Sequence, residues 1–217
     1  MNYRINLTGL PGSGKGSISE AVKERLGIPC FSTGDILRGA ERQGTLLGKL
    51  YAEHCRDGGF IPDSVIIPIV QTRLYGLESY LLEGFPRTVP QAQAFQRFSR
   101  FTHVTELYLS PEAEQLARKR IDARWICSDS GNNCKVYGLT RPAPENRLCL
   151  DCGSPLKKRD DDAPEKVGKR FALYHELTEP VIAFYKPLGI VHRVDASQKI
   201  EKEIADVLSA LGVNGQA

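Results

Sequence analysis

The sequence has no long apolar run, no apolar segment near its first residue and almost no excess of charge. Its longest apolar runs, residues 65–70 and 104–109, are far shorter than the roughly 20 residues of a membrane-spanning helix. The missing signal-like segment makes us expect a cytoplasmic protein that does not bind membranes. Lysine and arginine number 29 against 26 aspartates and glutamates, and this net charge of +3 is too small to favour a nucleic-acid-binding surface. There is also no internal repeat, which excludes a solenoid.

The residues that are present favour one α/β domain. A chain of 217 residues with 41% hydrophobic content buries one substantial core. Strand-like runs such as 3–8, 80–82 and 104–109 alternate with segments of helical periodicity such as 17–26 and 199–211. Strands that alternate with helices form a parallel sheet covered on both faces, so we predict that architecture.

One long segment breaks this alternation. Helical periodicity stops between about residues 125 and 163, where Gly, Pro, Asn, Asp and Cys dominate. A segment of that length is too long for a simple connection in a compact domain. We therefore predict a small subdomain or lid there.

A glycine-rich loop, GLPGSGKGS at residues 9–17, follows the first strand and precedes a helix. Glycines let backbone N–H groups converge on phosphate oxygens without Cβ interference, a lysine adds positive charge, and the next helix adds its N-terminal dipole. The residues that meet these needs are Gly9, Gly12, Gly14 and Lys15. The usual pattern has Ser or Thr directly after the lysine, whereas here Gly16 intervenes and Ser17 follows. The loop predicts a site for a nucleoside triphosphate.

Two further motifs, STGDILR at 32–38 and EGFPRT at 83–88, occur together with this loop variant. With them the chain resembles the adenylate kinase family, from Ile5 to about Leu211, including RDDD at 159–162 and KR at 169–170. The resemblance implies a P-loop NTPase-type three-layer sandwich with a five-stranded parallel sheet. It divides the chain into a core (1–31, 62–124 and 164–217), an AMP-binding insertion (32–61) and a lid (125–163).

The resemblance further implies a monomer that catalyses ATP + AMP ⇌ 2 ADP. This agrees with the residues, because in-line transfer between two negatively charged nucleotides needs cations and closure, whereas the ionised acceptor phosphate needs no general base. The residues implied to be catalytic are Lys15, Arg87, Arg124, Arg159 and Arg170. Those implied to bind ATP are Gly12, Ser13, Gly14, Lys15, Gly16, Ser17, Arg120, Arg124, Val136, Tyr137 and Gln198. Those implied to bind AMP are Thr33, Arg38, Ile61, Gly84, Arg87, Gln91, Arg159 and Arg170.

Three finer expectations accompany these assignments. Arg120 precedes Arg124 by four residues, which places both on one helix face. Asp161 and Asp162 match acidic residues that bind the lid arginines or ribose and hold the closed state. Magnesium would be held through water by Asp35 and Glu83, the second of which replaces the family's usual aspartate.

Four of the six cysteines, Cys127, Cys134, Cys149 and Cys152, fall within the predicted lid. Some adenylate kinases hold a structural zinc there with two C-x-x-C knuckles, and residues 149–152 form one such knuckle. The other is irregular, because Ser130 occupies its second position and Cys134 follows later. Zinc, a disulfide and free thiols stay open, and we favour zinc because four sulfurs in one loop of a reduced compartment usually serve a metal.

Two alternative functions are weighed against this interpretation. A nucleotide sensor or zinc-knuckle interaction module without turnover would lack the loop lysine or a phosphate-binding arginine, and none is missing. A uridylate/cytidylate kinase would have a short lid, and Thr33 with Gln91 favours AMP as acceptor. GTP as donor stays open, because the family recognises the donor base largely through backbone groups near 196–198, which leave little trace in sequence.

Overall fold

The structure is a computed structural model that describes residues 2–55, 58–129, 134 and 136–213. Ser130, part of the irregular knuckle, lies outside these residues. The strands are β1 (Arg4–Gly9), β2 (Cys30–Ser32), β3 (Tyr80–Glu83), β4 (His103–Tyr108), β5 (Ile126–Cys127), β6 (Leu156–Lys157) and β7 (Val191–Asp195). The helices are α1 (Lys15–Leu26), α2 (Thr33–Arg42), α3 (Leu46–Cys55), α4 (Asp63–Leu74), α5 (Val89–Phe95), α6 (Glu114–Asp122), α7 (Pro164–Leu173), α8 (Glu179–Tyr185) and α9 (Ile200–Ala210).

The main sheet has five parallel strands in the order β2-β3-β1-β4-β7, which confirms the predicted α/β fold. Strand β1 lies in the middle and pairs with β3 on one side and β4 on the other. In such sheets ligands bind beyond the carboxyl ends of the strands, where the strand order reverses. The loop that follows β1 occupies that place.

Two apolar clusters cover the two faces of the sheet. Along β3, Leu81 belongs to one cluster, whereas Tyr80 and Leu82 belong to the other, because successive side chains of a strand point to opposite faces. Helices α1 and α9 supply Ile18 and Val207 to the first cluster. Each fully buried aliphatic side chain contributes about 1.5–3 kcal/mol, so these clusters stabilise the sheet from both faces.

Helix α3 has no counterpart in the sequence expectations. It packs against α2 through Gly48, where an added Cβ would lie 2.3 Å from the carbonyl oxygen of Ala40. The glycine is therefore required by the close approach of two helices, which no local sequence pattern predicts.

The predicted lid contains a second, small sheet in which β5 pairs with β6 antiparallel. An isolated bridge joins Trp125 to Tyr137. Among the described residues of this segment, the buried apolar cluster consists of Cys127, Tyr137, Cys149 and Leu156.

One helical prediction is wrong. Helix α6 ends at Asp122 with Ala123 as its cap, and Arg124 follows outside the helix. Arg120 and Arg124 therefore do not share a helix face, because Arg124 belongs to the connection into β5. Among the described residues, no helix combines the length and the apolar composition that crossing a membrane requires.

Candidate functional site

Two adjoining cavities lie beyond the carboxyl ends of the central strands. The larger, of about 740 Å³, is lined by the glycine-rich loop, the ends of β1 and β3, and part of the lid segment. The smaller, of about 70 Å³, lies between α2, α3, α4 and the end of β3. The side chains of Arg38, Arg87 and Arg170 line both cavities. Cationic groups therefore stand where the two cavities meet.

The glycine-rich loop folds in a way that only glycine permits. Gly12 has φ +85°, and an added Cβ would lie 2.6 Å from the carbonyl oxygen of Ala117 in α6. Gly14 caps α1 in the left-handed conformation at φ +98°, so the positive end of that helix faces the large cavity, which Gly16 and Ser17 also line. This backbone has the geometry of an anion site.

Lys15 lies at the bottom of the loop. Its Nζ donates hydrogen bonds to the carbonyl oxygens of Gly9 (2.7 Å) and Leu10 (2.9 Å), and a longer one to Oγ of Ser13 (3.4 Å). Burial lowers the pKa of Lys15 to about 8, against the opposing charge of Glu83. The ammonium thus lies next to the larger cavity and is bound there by backbone carbonyl groups.

Carboxylates from one short turn bind several of the predicted arginines. Asp162 accepts two hydrogen bonds from Arg124, at 2.8 and 2.5 Å, in the bidentate geometry of a guanidinium and a carboxylate. Arg170 lies 3.3 Å from a carboxylate oxygen of Asp161 and 3.4 Å from one of Asp162. Arg38 lies 3.6 Å from Asp161. Burial alone would raise the pKa of Asp161, but the charges of Arg170 and then Arg38 lower it below its usual value. The structure therefore brings the predicted lid-closing acids and arginines together.

Two other arginines lack such compensation. Nε of Arg159 is buried with no hydrogen-bond partner among the described residues, and burial followed by repulsion from Arg38 lowers its pKa to about 10. The pKa of Arg87 is also lowered, by burial and then by Arg170. Buried cations without a carboxylate partner favour the entry of an anion.

The smaller cavity brings the predicted AMP residues together. Thr33, Ile61, Gly84 and Gln91 all line it. Gly84 has φ +79°, and Oγ1 of Thr33 donates to its carbonyl oxygen at 3.0 Å. A Cβ on Gly84 would lie only 2.7 Å from that hydroxyl, so this corner of the cavity requires glycine.

Gln91 is held by two partners in one orientation. Its Oε1 accepts from the backbone N–H of Arg87 at 2.7 Å, and its Nε2 donates to Oδ1 of Asp63 at 2.7 Å. An amide carries two donor hydrogens and two acceptor lone pairs, so one of each stays available for a ligand. Asp63 was not predicted as a site residue, because its place directly after Pro62 indicates only a helix start.

The residues predicted to contact the donor base have different environments. Arg120 donates to the carbonyl oxygen of Ala196 at 2.9 Å and lines the larger cavity, as does half-exposed Val136. Tyr137 reaches the cavity wall but is fully buried in the lid cluster. Gln198 donates to Asp206 at 2.7 Å and is not among the described residues that line either cavity.

The two magnesium candidates both line the larger cavity. Glu83 ends β3, and one of its oxygens accepts a hydrogen bond from Oγ of Ser19 at 3.2 Å. Asp35 lies in the first turn of α2, not at a strand end, and binds Arg38 at 2.7 Å.

The four lid cysteines form one compact cluster. Their Sγ atoms all lie within 4.8 Å of one another, and Sγ of Cys152 is 3.4 Å from Cys127 and 3.5 Å from Cys134. All are free thiols, which excludes a disulfide in this structure. A tetrahedral site with Zn–S bonds of about 2.3 Å separates its sulfurs by roughly 3.8 Å, so the four thiols fit a metal ion. Tyr137 supports the cluster by accepting from the N–H of Leu150 at 2.6 Å.

Glu203 is a further cavity residue that the sequence analysis missed. It is buried and lies behind Gly14. The signal was available, since Glu203 stands three residues after Ile200 and four before Val207, on the apolar face of α9.

Comparison with known proteins agrees with this geometry. A sequence model of the family described as adenylate kinase matches residues 7–190. An adenylate kinase of Caldicellulosiruptor saccharolyticus is 36% identical over 215 residues, covering 97% of this chain and 99% of the relative. One from Archaeoglobus fulgidus is 39% identical over 214 residues (94% and 96%), and one from Thermotoga maritima is 36% identical over 219 residues (98% of each).

Proposed function

The chain belongs to the adenylate kinase family, and we infer from this that it catalyses the reversible transfer of a phosphoryl group from ATP to AMP, which yields two molecules of ADP. The observation that carries the proposal is the pair of adjoining cavities whose shared wall includes three arginines, Arg38, Arg87 and Arg170. A donor triphosphate and an acceptor monophosphate bound in these cavities would meet at that wall. Holding two reactants in line accounts for a large part of such catalysis.

We propose that the larger cavity binds ATP. The N–H groups of residues 12–17 and the ammonium of Lys15 would bind the β- and γ-phosphates. Lys15 would exchange its carbonyl partners for phosphate oxygens, and Arg120 would contact the adenine, together with Val136, Tyr137 and backbone near Gln198.

We propose that the smaller cavity binds AMP. Gln91 would offer its remaining donor hydrogen and acceptor lone pair to adenine, while Thr33, Ile61 and Gly84 line the base. Arg38 and Arg87 would bind the acceptor phosphate. Arg124, Arg159 and Arg170 would surround the transferred group, where added positive charge stabilises the transition state.

We also propose that residues 32–61 and 125–163 act as an AMP-binding insertion and a lid, which close over the two substrates. Asp161 and Asp162 lie at the base of the lid and bind arginines outside it. Asp161 binds Arg38 and Arg170, and Asp162 binds Arg124, which directly precedes the lid. Closure would exclude water from the phosphoryl group and strengthen each charge–charge interaction there.

Magnesium would accompany ATP and reduce the negative charge of its phosphates. Asp35 and Glu83 would hold it through bound water, because this ion retains several waters. Glu83→Asp tests the unusual glutamate. We expect similar turnover and magnesium dependence, and a large gain in rate would contradict the idea that the native site is fully effective.

For the lid we propose a structural zinc ion bound by Cys127, Cys134, Cys149 and Cys152. The support is the mutual distance of their Sγ atoms and the small size of the apolar core that the described residues of this segment form. The ion would hold this segment folded. Monomeric state and cytoplasmic location stay predictions, and sedimentation analysis checks the first.

The decisive experiment is a coupled assay of ADP formation over a matrix of triphosphates and monophosphates. We expect ATP with AMP to give the highest rate. A protein that binds ATP but does not turn it over would be a nucleotide sensor, and a preference for UMP or CMP would identify a pyrimidine nucleotide kinase. The same matrix decides whether GTP serves as donor.

A further inference from the structure

Glu203 is a buried carboxylate to which the proposed reaction gives no role. It lies in the first turn of α9 and is 0% exposed. Neither of its carboxylate oxygens has a hydrogen-bond partner among the described residues. Glutamate is almost never buried without a partner, because the charged form loses its hydration. Such a group at a cavity wall calls for a functional explanation.

The carboxylate lies directly against the phosphate loop. A Cβ on Gly14 would be 3.3 Å from Oε1 of Glu203. Glu203 also lines the larger cavity together with Gly14 and Lys15. The side chain is therefore behind the turn whose N–H groups we assign to the phosphates of ATP.

Charged groups from three other elements face Glu203. Lys15 at the start of α1 and Arg120 on α6 favour its ionised form, and Asp195 at the end of β7 opposes it. Burial is the largest effect and raises the pKa of Glu203 to about 7. The charge of this side chain consequently changes near neutral pH.

We propose that Glu203 is a positioning residue of the donor site, which must carry a proton for the phosphate loop to bind a triphosphate with full affinity. The inference rests on the proposed function, since it takes the larger cavity as the ATP site. An ionised Glu203 places a negative charge behind the loop and opposes the incoming phosphates, whereas a protonated one does not. Binding of ATP therefore takes up a proton.

The direction of the pH dependence follows from linkage. Below the free-state pKa of about 7, Glu203 holds its proton both with and without ATP, so it does not alter the affinity. Above that pH, bound ATP keeps Glu203 protonated, whereas the free protein loses this proton. The affinity for ATP therefore falls by at most about tenfold per pH unit, the limit for one proton. Lys15, whose pKa is about 8, adds a further loss of affinity at higher pH.

The test is calorimetry of ATP binding, with magnesium and without AMP, in two buffers of different protonation enthalpy. Glu203→Gln keeps the shape of the side chain but removes its titration. We expect the variant and the wild type to bind ATP equally at about pH 6, and the variant to bind about three- to tenfold tighter at about pH 8. The wild type should also take up a larger fraction of a proton. Glu201→Gln, an exposed glutamate on the same turn, is the matched control and should behave as the wild type.

The outcomes separate the two proposals. Equal proton uptake and equal pH profiles for the wild type and Glu203→Gln, with ATP still bound, overturn the inference and leave the kinase function standing. Absence of ATP binding in the wild type overturns both. If Glu203→Gln does not fold, carbon-detected NMR of the wild type decides instead. The Glu203 carboxyl should titrate near pH 7 and shift to higher pH with ATP, and an unchanged titration overturns the inference.

Discussion

Replacing Cys152 by serine should unfold the lid, while the five-stranded sheet stays folded. Sγ of Cys152 lies 3.4 Å from Cys127 and 3.5 Å from Cys134, so it is central to the proposed zinc site. The lid's buried cluster contains four residues, two of which are cysteines of the cluster itself. With the ion lost, Tyr137 and Leu156 would be the only non-cysteine members of the described buried cluster, with Trp125 and Ala143 packed against it.

The magnitude follows from the length of the loop that the ion closes. Cys127 and Cys152 are 25 residues apart, and cross-linking a loop of that length removes roughly 3.5 kcal/mol of chain entropy from the unfolded segment. Burying two apolar side chains gives a similar sum, at about 1.5–3 kcal/mol each. The loss of 3.5 kcal/mol, about a few hundredfold in an equilibrium constant, therefore removes much of the lid's stability.

The chain carries its own probe for this change. Trp125 is the single tryptophan, and the guanidinium of Arg147 (4.3 Å) and the ammonium of Lys158 (4.6 Å) both lie over its ring, which packs against the lid cluster. We expect one zinc per wild-type chain and almost none in Cys152→Ser. The variant should show red-shifted tryptophan emission, lid cleavage by protease about a hundredfold faster or more, and little change in far-ultraviolet circular dichroism.

Cys30→Ser is the matched control, because that thiol lies outside the lid, with Sγ 3.5 Å from the carbonyl oxygen of Ser19. It should keep its zinc and its tryptophan emission. Wild-type protein purified reduced, without added zinc, that holds well under one equivalent would refute the zinc proposal. A Cys152→Ser protein with unchanged emission and protease resistance would refute the argument from loop closure.

Three further predictions concern packing and orientation. Asp162→Asn leaves two arginines without their buried carboxylate and should lower the free energy of unfolding by about 3 kcal/mol, measured by urea titration. The control Asp160→Asn, at an exposed position on the same turn, should change it by under about 0.5 kcal/mol. Gly48→Ala should destabilise the protein by about 1–3 kcal/mol through overpacking. Gly168→Ala lies within a helix with open space around the new methyl group and should stabilise the protein, and thermal melting compares the two variants. Asp63→Ala should raise KM for AMP about tenfold with little change in kcat, because the adenine-binding amide loses the partner that orients it; an unchanged KM and unchanged preference for AMP over GMP would argue against that role.

The fold and the phosphate loop could be predicted because their signals are local. The glycines at 12 and 14 stand between a strand and a helix, and each is required by its own backbone conformation. The five-stranded sheet followed from the family resemblance, and the alternation of elements agreed with it. A position on a helix face is also a local inference, yet it failed for Arg124, because the spacing of four residues does not show that the helix ends at Asp122.

The remaining site residues depend on contacts between distant parts of the chain. Asp63 matters because Gln91, 28 residues later, is brought to it by the packing of α4 and α5. Gly48 matters because another helix approaches it. Glu203 could have been noticed as an acid on an apolar helix face, but only the structure places it behind Gly14. Sequence patterns identify such residues poorly, because the residues that they contact are far away in the sequence.

The carboxylates of Asp161 and Asp162 have a consequence for how substrates compete for the arginines. Each guanidinium that they bind already has an anion, so a phosphate that arrives replaces one counterion with another. The affinity gained is then the difference between two ion-pair energies, not the whole of one. Added salt screens both states, so KM should depend on ionic strength less steeply than the number of arginines suggests. The protein thus keeps three of its clustered cations neutralised between turnovers by carboxylates of its own.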